Sequence, residues 1–155
     1  MLESLLAPPF AADPPVKLNV PAKTLGLILA ILGAIGALFG ILGVFALLGV
    51  SALAAAYGGI FLLAVIGAII GEIGTVIGAW GGYQMYQEKR EGKKLAIYGI
   101  LISVVGSLIG AIGSGGLAGW IFSALISFVI YYLIVISRFA GDPPLVPTTP
   151  GPSAT

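Results

Sequence analysis

Four apolar runs divide this chain, each bounded by proline, glycine clusters or charge. They cover residues 24–48, 52–90, 94–113 and 116–138. A transmembrane helix needs ~20 apolar residues, so every run is long enough to span a bilayer. The second is apolar as far as Trp80, and its last turn, Gln87-Glu88-Lys89-Arg90, reads as a helical extension into water. Within the runs, small residues recur at helical spacing. Gly26, Gly33 and Gly40 are seven apart in the first, as are Gly36 and Gly43. The second carries Gly67, Gly71, Gly74 and Gly78. At about 100° per residue these lie within about 60° of one another, with Leu62, Ile66, Ile69, Ile73 and Ile77 opposite. In the third, Gly99, Gly106 and Gly113 are seven apart, and Gly110 and Ser103 share their face. Gly119, Ser123 and Ser127 are four apart in the fourth. In lipid no hydrophobic force drives helices together, and small residues mark the faces where backbones approach. The pattern predicts an all-α membrane protein, a four-transmembrane-helix bundle with glycine-rich helix interfaces. Gly33, Gly40, Gly67, Gly71, Gly74, Gly78, Gly106, Gly110, Gly113, Ser123 and Ser127 are its expected packing residues. Seven-residue spacing is the period of left-handed packing.

The segments between the runs set the expected boundaries. Residues 1–23 form a proline-rich tail, expected to be solvated and extended, or a docking strand for a partner. No basic stretch precedes a short apolar core there, so the tail does not read as a signal peptide. The first turn of MLESLL could coil before Pro8-Pro9 ends it. Gly49-Val50-Ser51 is the expected break between the first two spans, with Ser51 as helix N-cap. Tyr57-Gly58-Gly59 is the alternative turn. Gly92 is the expected stop of the second helix, and Ser114-Gly115-Gly116 a tight turn. Residues 139–155, rich in proline, threonine and serine, are expected to be a disordered tail.

Composition narrows the chemistry. The chain is 59% hydrophobic and 8% charged, against about 25% charged in ordinary soluble domains. It has no cysteine and no histidine. That removes disulfides, thiolate metal sites and the commonest general base. No catalytic, cofactor-binding or metal-binding residue can be named, no cofactor is expected, and an enzyme is not the reading. A net charge of +1 gives no reason to propose nucleic acid as a partner. The basic residues are Lys17, Lys23, Lys89, Arg90, Lys93, Lys94 and Arg138. With four spans all of them fall on one side, which the positive-inside rule places in the cytoplasm. Both termini are then cytoplasmic and the expected location is the plasma (inner) membrane. Lys89, Arg90, Lys93, Lys94 and Arg138 are the expected anchors at the lipid headgroups.

Glu72 is the ionisable residue inside a membrane-length apolar run. A charge near mid-bilayer costs roughly 2.5–3.5 kcal/mol on insertion scales, so Glu72 is expected to face protein. Ser103, Ser107, Ser123 and Tyr131 are the expected hydrogen-bond partners within the chain. Rotary proteolipid subunits also set a carboxylate among close-packed glycine-rich helices. This chain differs in its proline-rich tails, its charged second loop and the placement of the acid in the second span, so no family is assigned on that likeness. Two functions follow as expectations. One is a non-catalytic accessory or scaffold subunit, with the bilayer and other membrane subunits or a second copy as partners. The other is a small proton- or cation-translocating protein that uses Glu72.

Overall fold

The computed structural model describes residues 8–11, 14–54 and 60–143. It is all-helical. A short 3-10 turn, Pro9–Ala11, is followed by α1 (Ala22–Ala54), α2 (Ile60–Tyr86), α3 (Glu91–Ser114) and α4 (Leu117–Ile136). All four α-helices are long and apolar enough to cross a membrane. They run up, down, up and down. Gly26 of α1 lies against the end of α2, Gly113 of α3 against Ala64 of α2, and Lys93 of α3 beside Val135 of α4.

The helices are not equally engaged. α2 and α3 form the closest pair, α1 packs on α2, α4 packs more lightly on α3, and α1 and α4 barely meet. The reason lies in the small residues. On α2, Gly67, Gly71, Gly74, Gly78 and Gly81 alternate spacings of four and three. On α3, Gly92, Ala96, Gly99, Ser103, Gly106, Gly110 and Gly113 do the same. This is the a/d rhythm of a coiled-coil seam, built from residues with little or no side chain. A Cβ added at Gly67, Gly74 or Gly81 would stand closer than 3.0 Å to backbone atoms of Gly110, Ser103 and Ala96 respectively. Nothing comparable holds α4 along its length; Trp120 Nε1 donates to Val104 O at 3.2 Å and ties its first turn to α3.

Three boundaries differ from the sequence reading. First, α1 does not break at Gly49-Val50-Ser51 but continues to Ala54, so Ser51 lies inside a helix and not at the start of the next one. An apolar uncharged stretch with one glycine lacks a strong stop. The alternative turn, Tyr57-Gly58-Gly59, lies outside the described residues. Second, α2 ends at Tyr86 without an extension through Arg90. Glu88 takes φ +61°, its N–H donates to Met85 O at 2.9 Å, and Lys89 N–H donates to Gln84 O at 3.0 Å. That is a Schellman stop with a glutamate where glycine is usual. Gly92 is therefore no stop; it is the second residue of α3, against Met85 and Gln84. The turn after Ser114 follows the same rule with the usual residue, Gly115 at φ +72° and Gly116 N–H donating to Ala111 O at 3.0 Å.

Third, the described part of the N-terminal tail is not a free strand. Pro14 is fully buried. Tyr132 on α4 donates its hydroxyl to Val16 O at 2.8 Å and accepts from Val16 N–H at 3.1 Å. Pro21 pairs with Arg138 in a parallel bridge: Ala22 N–H donates to Arg138 O (2.7 Å) and Arg138 N–H to Val20 O (2.9 Å). The tail thus closes on the segment leaving α4. Beneath it lies a buried apolar cluster, which includes Leu25, Met85, Ile97, Tyr131, Ile134 and Phe139. Phe139 puts the start of the expected C-terminal tail inside the folded unit. The MLESLL turn and residues 144–155 lie outside the described residues.

Candidate functional site

The core sits where α1 begins, α2 ends, α3 begins and α4 ends. Toward the other end α1 opens away from its neighbours. A Cβ at Gly33 would meet Ala79 of α2, whereas Gly43 and Gly49 have no neighbour within 4 Å. Between these two regimes stands Glu72. Its carboxyl group lies directly against Gly40 of α1, where a Cβ would overlap it. Only a glycine on α1 leaves room for the acid at that level. Glu72 Oε1 is buried and has no hydrogen-bond partner.

Behind Glu72, α1, α2 and α3 line an open cleft of about 580 Å³. Gly40, Val44 and Leu47 supply the α1 wall, Ala68 and Gly71 the α2 wall, and Ser103 and Ser107 the α3 wall. Ser107 Oγ donates to Val104 O at 2.9 Å, which leaves its lone pairs toward other donors. On the other side of Glu72, a groove of about 390 Å³ runs between α1 and α2, lined by Ile41, Phe45, Ile69, Ile73, Val76 and Ile77. Glu72 and Val44 belong to both walls. The carboxylate is thus the polar point in a wall between an inner cleft and an outward apolar groove.

The expected partners of Glu72 divide. Ser103 and Ser107 share its cleft. Ser123 is exposed on α4, and Tyr131 belongs to the buried cluster at the far end. The remaining small residues also divide. Gly67, Gly74, Gly106 and Gly113 are tight: a Cβ on any of them would come closer than 3.0 Å to a neighbouring backbone. Gly71, Gly78 and Gly110 have room for a methyl, with nearest atoms at 3.7–3.8 Å. Ser127 lines a smaller cleft near Gly33 and Gly74, while Gly119 has no neighbour within 4 Å.

The basic residues have specific surroundings. Lys93 Nζ donates to Val135 O at 2.7 Å and Ser137 O at 3.1 Å, satisfying carbonyls that the end of α4 leaves open. Arg90 Nη2 donates to Asp142 Oδ1 at 2.7 Å, and its guanidinium lies 5.7 Å from the Phe139 ring centre. Asp142 Oδ2 accepts from Phe139 N–H at 3.0 Å. The Phe139 amide, then Arg90, hold the Asp142 carboxyl below the usual carboxylate range. Lys89 and Lys94 are exposed, and Arg138 Nε is buried without a hydrogen-bond partner. Lys93 as a cap for α4 was not legible beforehand, because the carbonyls it meets are 42 and 44 residues away. Asp142 was missed for the same reason. Among the described residues there is no group of three or more His, Cys, Asp or Glu that could hold a metal ion. The chain matches no family model, no curated protein and no solved structure.

Proposed function

We propose that the chain is an integral membrane protein with four spans, serving as a non-catalytic accessory or scaffold subunit of a larger membrane assembly or of a homo-oligomer. In this reading glycine-rich interfaces hold α1, α2 and α3 together in the bilayer, the bilayer covers the bulky aliphatic faces, and both termini lie in the cytoplasm of a plasma membrane. One observation supports the partner role above others. On α2 and α3 the small residues are taken up by each other, but Gly119 of α4 has no neighbour within 4 Å and Ser123 is exposed. A small-xxx-small row is a surface on which a second helix can approach closely, and in this chain its Gly119 and Ser123 are unspent. Purification in mild detergent, with mass spectrometry of co-purifying chains and of the particle mass, tests it. A companion or a defined oligomer that is lost in Gly119→Leu supports the reading; a monodisperse monomer without companions refutes it.

The position of Glu72 favours a second reading, proton or cation translocation. A buried, unpartnered carboxyl oxygen beside an open cleft is costly in hydrocarbon, and intramembrane acids often mark ion paths. In proteoliposomes, a proton or cation flux carried by wild type and abolished by Glu72→Gln would establish it, and the absence of any flux would remove it.

A further inference from the structure

We propose that the cleft behind Glu72 binds a lipophilic organic ammonium ion, a compact apolar body carrying one protonated amine. The inference concerns binding; it requires neither the accessory role nor transport. Three observations combine to give the ligand class.

The first is charge. Glu72 Oε1 is buried and unpartnered, and an ionised carboxylate only accepts hydrogen bonds. None of the residues lining the cleft is Lys or Arg. The described basic residues lie at the opposite end, in the N-terminal segment and the first turn of α1, around the α2–α3 turn and after α4. A cationic partner for this carboxyl group would therefore come from outside the chain. The second is ligand number. A hard metal ion takes about six or more oxygen ligands, whereas the cleft offers one carboxylate with the hydroxyls of Ser103, Ser107 and Ser114. An ammonium group needs only three acceptors. One N–H can meet the Glu72 carboxylate in a charge-assisted bond, and the hydroxyls of Ser103 and Ser107, which lie at its level, can accept the others. The third is volume and lining. About 580 Å³ walled by Leu47, Val44, Ala64 and Ala68 falls within the ~300–1,000 Å³ range of small-molecule sites, which are mostly apolar with a few placed polar groups. The apolar groove of about 390 Å³ on the other side of Glu72 and Val44 gives such a molecule a lipid-side approach.

The test is equilibrium dialysis of the full chain in dodecyl maltoside with tritiated 1-adamantylamine, against the near-isosteric neutral 1-adamantanol. The amine should bind saturably, one per chain, and the alcohol on the order of tenfold or more weakly. Glu72→Gln should remove that preference while changing alcohol binding by less than about twofold. Val44→Trp, which fills the wall shared by cleft and groove, should weaken both ligands. Equal binding of amine and alcohol by wild type overturns the proposal, as does the absence of saturable binding. If Glu72→Gln does not fold, as judged by gel filtration and circular dichroism, the comparison of amine and alcohol on wild type still decides. Unchanged binding of both ligands by a folded Val44→Trp would place the site elsewhere and likewise overturn it.

Discussion

Glycines that look equivalent in the α2–α3 seam differ in what surrounds them. A Cβ at Gly74 or Gly106 would come closer than 3.0 Å to Ser103 and Gly71 backbone atoms, which cannot move aside without shifting a helix. At Gly71 and Gly110 the nearest atoms stand at 3.7 Å, ordinary contact distance. Gly74→Ala and Gly106→Ala should each destabilise the protein by about 1–3 kcal/mol, the usual cost of overpacking. Gly71→Ala and Gly110→Ala should be neutral or stabilising by up to about 1 kcal/mol, because alanine restricts the unfolded chain more than glycine does. Unfolding in a detergent titration, followed by circular dichroism, separates the two pairs; equal effects on both would refute the spacing argument. Periodicity in the sequence places all four residues on one face. It does not say which of them touches backbone, since that depends on the axial register of the partner helix.

At the scale of elements, the least expected structure is the clasp at the end of α4. The segment after Ile136 turns back through Asp142, which binds the Phe139 amide and Arg90 from the α2–α3 turn. Both bonds favour the ionised carboxyl, so its pKa is held down in the folded state. The clasp's contribution is therefore present above the unfolded pKa of about 3.9 and is lost as pH falls through the folded value. Melting temperatures of wild type and Asp142→Asn should differ at neutral pH and converge on acidification below pH 4 or so. Parallel curves across that range would mean that the clasp does not couple to folding. The four helices themselves were readable as apolar runs, because length and hydropathy are local properties. Their ends were less so. The stop at Glu88 uses a left-handed glutamate, and a sequence search for glycine stops passes over it to Gly92. The docking of Val16 onto α4 and of Pro21 onto Arg138 just beyond it joins residues more than a hundred positions apart, and nothing in a proline-rich tail announces such contacts.

For the whole molecule, the distribution of charge and core is polar along the helix axes. The buried cluster, the tail clasp and the described basic residues all lie at the end where α2 turns into α3. The opposite end, with Gly43, Gly49 and Gly119 unopposed, carries no Lys or Arg among the described residues. A bilayer with basic loops retained on its cytoplasmic side orients such a molecule in one way. Since the native chain has no cysteine, single thiols report on each side without background. Gln87, in the turn before α3, and Ser114, its last residue, are exposed and flank that helix, so they are suitable sites. Gly92 is not, because any side chain there would strike Met85 and Gln84. With a membrane-impermeant maleimide on intact cells, Ser114→Cys should be labelled and Gln87→Cys only after permeabilisation. The reverse pattern would invert the topology and put the basic clasp outside, where the positive-inside rule gives it no anchor. Labelling of both from outside intact cells would mean that α3 does not cross the membrane at all, and the four-span reading would fall with it.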